Sequence, residues 1–273
     1  MHRSLRFVQH RPWARPAGPW VMAQNWEDLL FAHWPVPVDV MRLVVPRELE
    51  VDTFEGRAWM GMVPFRMSGV RLCGMPALPG LSAFPELNVR TYVTAGGKPG
   101  VWFFSLDAAN RLAVAVARSW FQLPYFYARM ETEAHGHEIV YRSRRTDRRG
   151  LGERFEAAYQ PAGECFHAQP GRLEYFLAER YCLYAQRRDG AILRSEIHHA
   201  PWELQNARAR IEVNTMAESL GVQLFGEPLL HFAKLQEVVV WTPECCEPER
   251  PKGKPLKRKP RVAESHGRRS CSE

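Results

Sequence analysis

Short apolar runs separated by glycine and proline fill the middle of the chain, and they have the length of β-strands rather than of long helices. The clearest alternation lies in residues 86–93, where Leu87, Val89 and Val93 would face one way and polar side chains the other. The other predicted strands are residues 58–67, 100–107, 181–187, 191–198, 209–213 and 235–241.

Glycine and proline also predict how these runs are joined. The pair Gly96-Gly97 predicts a tight hairpin between residues 86–93 and 100–107. Pro64 predicts an edge or a bulge in its strand, because proline has no N–H to donate to a neighbour. Helical patterns are few. They cover residues 38–45, 108–120 and 214–220, the last with an asparagine at its start and a glycine just past its end.

Many strands, few helices and no alternating β–α rhythm predict a mainly β (α+β) domain, and the simplest form is a closed antiparallel β-barrel with a few short helices. We expect this domain to span residues 21–242. Residues 1–20 are rich in arginine, proline and tryptophan without periodicity, and we expect a basic, non-globular extension there. Residues 243–273 have almost no large apolar side chain and are expected to form a disordered basic tail.

The net charge of +7 belongs mainly to that tail, where residues 250–269 contain nine lysines or arginines and one glutamate. The rest of the chain is therefore close to neutral, which argues against a nucleic-acid-binding surface on the domain itself. The tail alone could make a weak nucleic-acid contact, although such runs are usually only solvated ends.

The six cysteines have no regular spacing, which argues against a disulfide framework and fits a cytoplasmic location. No apolar run approaches the roughly 20 residues needed to span a bilayer. Three histidines (His198, His199 and His231) raise the question of a metal. Neighbours on a strand point to opposite faces and no ligand motif accompanies them, so we expect neither a metal nor another cofactor.

The polar face of residues 86–93 is the main candidate site. Glu86, Asn88, Arg90 and Tyr92 line up on it, and residues 100–107 carry bulky side chains on both faces. A strand that is apolar on both faces is buried on both, so the polar face of its partner is expected to look into an enclosed pocket. An ordinary solvent-exposed face is the alternative.

Three residues are candidate acids or bases, namely Glu86, Asp107 and His33, and for His33 a structural role is the commoner outcome. Arg118, at the end of the best predicted helix, could bind a carboxylate or simply interact with the helix dipole. We expect Glu86, Arg90, Asp107 and Arg118 to form one network in the cavity, with Asn88, Tyr92 and Tyr125 also binding the ligand.

The segment around Arg118 resembles the Gly-Arg-Glu-x-Trp-Gly-x-Pro-Lys-Lys motif of acetoacetate decarboxylases, aligned through Arg118 and Pro124. The resemblance implies a closed β-barrel around a cavity. Those enzymes use one of the paired lysines to form a Schiff base, but here the pair is replaced by Tyr125 and Phe126. Neither side chain is an amine, so that chemistry is not expected.

A longer resemblance, to the uncharacterised YqjF-like family of the same superfamily, covers almost the whole domain. It includes residues 30–37, 58–65, 86–93, 100–108 and 199–204. The resemblance implies the fold but no activity.

From the residues we expect a small organic acid in the cavity, held by Arg90 or Arg118. If the protein is an enzyme, a lyase-like reaction without a Schiff base is expected. A non-catalytic ligand-sensing module is one alternative, and a nucleic-acid-associated protein acting through the tail is another. Assembly into a homo-oligomer also stays open.

Overall fold

A single mixed sheet forms the body of the protein in the computed structural model, which describes residues 2–78, 80 and 82–246. The predicted nucleic-acid contact of the basic tail lies outside the described residues. In chain order, the strands within the described part are β1 (Met22–Val36), β2 (Glu50–Val51), β3 (Ala58–Leu72), β4 (Phe84–Ala95), β5 (Lys98–Ala108), β6 (Tyr125–His135), β7 (Glu138–Arg145), β8 (Arg154–Phe166), β9 (Cys182–Gln186), β10 (Ile192–His198), β11 (Leu204–Asn214), β12 (Leu229–Val240) and β13 (Glu244–Cys245).

The strand order is β13-β10-β9-β5-β6-β7-β8-β11-β12-β1-β3-β4-β2, with further pairings of β4 with β5 and of β10 with β12. The mainly β prediction is confirmed, but the expectation of a purely antiparallel sheet is wrong. Strand β5 pairs in parallel with both β6 and β9. A parallel pair needs a crossover connection, and the helix between β5 and β6 provides it.

In the part of the chain that the structure describes, three short α-helices accompany the sheet, together with 3-10 turns at Arg3–Arg6 and Glu218–Leu220. The α-helices are α1 (Val38–Val44), α2 (Arg111–Trp120) and α3 (Leu173–Ala178). Helix α2 begins at a capping asparagine, because Asn110 Oδ1 accepts hydrogen bonds from the N–H groups of Leu112 and Ala113, both at 3.0 Å. None of these helices exceeds ten residues, so no helix in the described part of the chain is long enough to cross a bilayer.

The predicted helices at residues 38–45 and 108–120 are confirmed in position, although the second begins only at Arg111. The predicted helix at residues 214–220 is wrong. Asn214 still pairs with Phe155 of β8 at the end of β11, and only a short 3-10 turn follows, at Glu218–Leu220. The sheet pairing outweighs the local helix signal. Helix α3 was not predicted.

The predicted hairpin is present, and a bulge lies opposite Pro64, in the neighbouring strand β1 rather than in β3 as expected. Gly96 and Gly97 adopt φ values of +55° and +70°, which suit the two-residue turn between β4 and β5. Opposite Pro64, the pairing of β3 with β1 loses its register between Glu27 and Ala32, and Asp28 there has a φ of +53°. Proline has no N–H to donate, so the irregularity falls where the ladder is already incomplete.

The first twenty residues pack on the sheet, which corrects the expectation of a non-globular extension. Arg11 is buried and pairs with Glu196 at 2.8 Å, and Trp13 Nε1 donates to the same carboxylate at 2.7 Å. Gly18 accepts a hydrogen bond from Trp241 Nε1 at 2.8 Å. These partners lie between 183 and 223 residues away along the chain, so the local composition could not indicate them. The start of the expected disordered tail is also ordered, because β13 pairs with β10.

Two apolar clusters lie on the two sides of the β4 strand. Leu87 and Val89 belong to the first, whereas Phe65, Leu106 and Trp202 belong to the second. The second cluster surrounds the cavity described next. The alternation of β4 therefore decides which of its side chains reach that cavity.

Candidate functional site

A largely enclosed cavity of about 100 Å³ lies in the second apolar cluster, beneath α2 and α3. Its wall is mostly aliphatic and aromatic, and few polar groups reach it, as is typical of small-molecule sites. The polar residues that line the cavity are Gln24, Glu86, Asn88, Arg90, Tyr125, Arg180 and His199.

Strand β4 supplies three of these residues in succession. Glu86, Asn88 and Arg90 are buried and all line the cavity, while Leu87 and Val89 face the opposite cluster. The side chains of β5 that face the same cavity are apolar, among them Leu106, which lies directly opposite Asn88. Polar residues of β4 thus face an enclosed space rather than solvent.

Arg90 lies at the end of the cavity that α3 closes. Its Nη2 donates to the carbonyl oxygen of Leu177 at 3.3 Å, and its guanidinium carbon lies 5.2 Å from the centre of the Phe31 ring. Its Nε has no hydrogen-bond partner among the described residues, and none of the described carboxylates forms an ion pair with it. Arg90 is therefore a buried cation without a counter-charge in the described part of the chain.

Two predicted site residues, Tyr92 and His33, lie behind Arg90 and do not line the cavity. The Tyr92 hydroxyl donates to the Leu177 carbonyl at 2.8 Å and lies 2.6 Å from His33 Nε2, so it accepts a hydrogen bond from that nitrogen. Burial, with Arg90 and His231 nearby, holds the pKa of His33 well below its ordinary value. His33 is thus a neutral, buried residue that supports Tyr92.

Glu86 lies further along β4, on the side of α2. It accepts a hydrogen bond from the Tyr125 hydroxyl at 3.0 Å. Burial raises the pKa of Glu86 to about 8, and the nearby Asp107 adds to this, although the Tyr125 hydrogen bond acts against it. Four residues of strand separate Glu86 from Arg90, roughly 14 Å at about 3.4 Å per residue, so the two cannot pair directly.

The raised pKa predicts how stability depends on pH. The ordinary pKa of this carboxyl is 4.5, and its pKa in the folded protein is about 8. At pH values between these two, Glu86 carries a proton in the folded protein but not in the unfolded chain. The wild type should therefore lose about 3 kcal/mol of unfolding free energy, relative to Glu86→Gln, from pH 6 to pH 9. Urea unfolding of both proteins at several pH values measures this. If the unfolding free energies of the two proteins changed in parallel with pH, Glu86 would titrate as an ordinary glutamate. The variant Glu212→Gln, at an exposed position, serves as the control.

The expected network of Glu86, Arg90, Asp107 and Arg118 does not form. Asp107 pairs with Leu87 across β4 and β5, so it faces the side opposite to Glu86, where it binds Arg145 at 2.7 Å. Burial raises the pKa of Asp107 to about 6, although hydrogen bonds and charge from Arg145 oppose this. At neutral pH this pair is ionised.

Arg118 does not line the cavity either. It pairs with Asp147 and donates from its Nε to the carbonyl oxygen of Tyr125 at 2.7 Å. Because β6 follows α2 directly, these contacts fix the start of β6 and so the position of Tyr125. The expectation that Arg118 touches the ligand is therefore not supported by its location.

Several residues at the site were not singled out from the sequence. Arg180 lines the cavity and pairs with Asp52 at 2.6 Å, so its charge is compensated. Trp202 also lines the cavity, and its Nε1 has no partner among the described residues. Arg180 lies just after α3, and Trp202 lies in the loop after β10. The apolar pattern is weak in both places. Only the Pro-Trp pair at residues 201–202, already part of the family resemblance, could have indicated Trp202.

Neither lysine of the described part reaches the cavity. Lys98 pairs with Glu196 at 2.6 Å and Lys234 pairs with Asp28 at 2.5 Å, and neither side chain lines it. Tyr125 does line the cavity, whereas Phe126 packs under the guanidinium of Arg145. Within residues 2–246 as described, no group of three or more His, Cys, Asp or Glu side chains could hold a metal ion.

The architecture is shared with acetoacetate decarboxylase-like proteins. An acetoacetate decarboxylase-like enzyme from Sphingomonas wittichii RW1 has a TM-score of 0.60 at 12% identity, covering 89% of this chain and 99% of that one. Acetoacetate decarboxylase from Legionella pneumophila has a TM-score of 0.58 at 12% identity, with coverages of 88% and 94%. The enduracididine biosynthesis enzyme MppR, complexed with pyruvate, has a TM-score of 0.58 at 10% identity and the same coverages. At these identities the likeness shows the fold alone.

Sequence similarity is more specific than the similarity of the fold. The profile of the DUF2071 family, described as an uncharacterized conserved protein, matches residues 23–237. The chain is 50% identical over 227 residues to the uncharacterized protein YqjF of Bacillus subtilis (strain 168), which is 83% of this chain and 93% of that protein. The chain therefore belongs to the DUF2071 family, as the sequence resemblance implied.

Proposed function

We propose that this protein binds a small organic acid in the cavity, with the ligand carboxylate at Arg90. The single observation that carries the proposal is the state of Arg90, which is buried, lines the cavity and has no anionic partner among the described residues. A buried unpaired charge costs several kcal/mol, and a carboxylate would remove that cost through charge-assisted hydrogen bonds.

The other cavity groups fit the same ligand class. Asn88 Oδ1 and Trp202 Nε1 are buried without hydrogen-bond partners among the described residues, so polar substituents of a ligand would satisfy them. Glu86 is neutral at pH 7, because its pKa is about 8, and does not repel an anion. Among the structural neighbours, MppR is complexed with pyruvate, itself a small carboxylate.

The sheet pairings support the closed barrel that this proposal needs. Because β4 pairs with β5 and β10 with β12, the pairings form closed circuits, and only the two-residue strands β2 and β13 lie outside them, each beside a single neighbour. A closed sheet can enclose a ligand between its inward-facing side chains. Of the three predicted acids or bases, only Glu86 lines the cavity, so it is the group we assign to any proton transfer there. The absence of lysine among the cavity-lining residues described above argues against a Schiff base.

A thermal-shift titration tests the proposal with butanoate and benzoate at pH 7, against butan-1-ol and butylamine as uncharged and cationic controls. At about one hundred times the Kd, the acids should stabilise the protein by about 2.7 kcal/mol, a shift of several degrees in Tm. The alcohol and the amine should have little effect. Equal shifts from all four compounds, or none from either acid, would contradict the proposal.

A further inference from the structure

A second void lies next to the cavity. It is an open groove of about 260 Å³ between one face of α2 and the segment that follows β3. Six of the twelve large apolar side chains that are exposed in the described part of the chain line it. Such clustering is unusual on a soluble domain and marks a binding surface. The six residues are Leu72, Met75, Leu78, Leu112, Val116 and Trp120.

The groove and the cavity are separated by a single layer of side chains, because five residues line both. Two of them are methionines, whose unbranched side chains change rotamer easily. Gln24 Nε2 lies 3.0 Å from Met22 Sδ, and this contact forms part of the layer. The shared residues are Met22, Gln24, Met67, Ala117 and Tyr125.

The order of groups along the cavity gives it a direction. Arg90 lies at the end closed by the carbonyl of Leu177 in α3. Glu86 and Tyr125 lie at the other end of the β4 row, and Tyr125 is also one of the residues that line the groove. A charged group thus lies at the closed end, and the apolar groove begins beyond the opposite end.

We propose that the ligand is an amphipathic carboxylate, with its head group at Arg90 and an apolar chain that runs past Tyr125 into the groove under α2. This inference rests on the proposed function and narrows its ligand class. The cavity alone is smaller than the roughly 300–1,000 Å³ of typical small-molecule sites. Opening the methionine layer would add the 260 Å³ of the groove and bring the site into that range.

Chain length is the property to test, with straight-chain acids from butanoate to decanoate titrated calorimetrically below their micelle-forming concentrations. Affinity should rise roughly fourfold for each methylene that becomes buried, until the groove is filled. Decan-1-ol, which has the same chain without the carboxylate, should bind much more weakly than decanoate.

The variant Val116→Asp places a charge in the groove at a position that is 41% exposed, so folding should be preserved. It should weaken decanoate binding at least tenfold and leave butanoate binding unchanged. The matched control is Leu43→Asp on α1, at a position 85% exposed and outside the groove, which should affect neither acid.

Equal affinity along the whole series, or an equal loss for both acids in Val116→Asp, would overturn this inference while leaving the proposed function intact. It would also be overturned if Val116→Asp dissociated an oligomer without changing the dependence on chain length, because the groove would then be covered by a second copy of the chain. If no acid of any length bound, the proposed function itself would fail.

Discussion

Replacement of Arg90 by methionine should weaken binding of every carboxylate, short or long, by about 30-fold or more, without destabilising the ligand-free protein. Removal of one member of a buried charge pair typically costs about 2–5 kcal/mol of binding, and each 1.4 kcal/mol is roughly tenfold in affinity. The unbranched methionine side chain keeps much of the packing against Phe31 and lacks the charge.

The expected stability of the ligand-free Arg90→Met variant distinguishes a ligand-binding role of Arg90 from a structural one. In the ligand-free protein Arg90 has one long hydrogen bond, 3.3 Å to Leu177, and no ion pair with a described residue. Removal of such a charge from a buried site is often neutral or stabilising, by about 1–2 kcal/mol. For an arginine that is buried in an ion pair, the same replacement would instead lower the unfolding free energy.

Calorimetric titration and urea unfolding of the same Arg90→Met sample measure both quantities. Arg129→Met is the matched control, since Arg129 is exposed and its contact with Glu131 is a surface pair at 3.5 Å. If Arg90→Met lost several kcal/mol of stability and still bound carboxylates with unchanged affinity, Arg90 would be a structural residue and the ligand assignment would be wrong.

Replacement of Asp107 by alanine should cost about 3–5 kcal/mol of unfolding free energy, because it would leave a buried arginine without one of its two anionic partners. Asp107 accepts hydrogen bonds from Arg145 Nε at 3.0 and 3.1 Å and from Arg145 Nη2 at 2.7 Å, and both side chains are almost fully buried. Among the carboxylates of the described residues, Arg145 would keep only Glu153, at 2.9 Å.

The exposed pair of Arg210 and Glu212, at 3.0 Å, provides the control. Glu212→Gln should change stability by less than about 0.5 kcal/mol, because surface pairs contribute little. Urea unfolding at pH 7 compares the two variants, since Asp107, with a pKa of about 6, is ionised there. A loss below about 1 kcal/mol in Asp107→Ala would mean that the Asp107–Arg145 pair contributes little to folding.

This pair joins β5 to β7 beside the start of β6, so a destabilised variant should also hold Tyr125 less firmly.

Local patterns predicted the parts of this fold that depend on neighbouring residues. The glycine pair at residues 96–97 and the alternation of β4 are each decided within a few positions. The alternation was enough to place Glu86, Asn88 and Arg90 on one buried face. It could not show that Tyr92 lies past the end of the cavity.

The sequence alone could not predict which residues contact one another across the sheet. Asp107 lies in β5, some of whose side chains face the cavity, but only the register of β4 against β5 reveals that Asp107 points away from Glu86. Its partner Arg145 lies on β7, which was not predicted because its apolar run is limited to residues 139–141 and residues 142–145 are basic apart from one serine. The packing of Arg11 against Glu196 likewise depends on a contact between distant segments.

The most direct test of a carboxylate site at Arg90 is a crystal structure of the protein with 6-bromohexanoate, whose bromine marks the far end of the ligand by anomalous scattering. We predict carboxylate oxygens about 2.7–2.9 Å from the Arg90 guanidinium, the length of a charge-assisted hydrogen bond, with the bromine toward Tyr125 and α2. A ligand bound elsewhere under saturating conditions, with no anion at Arg90, would contradict it.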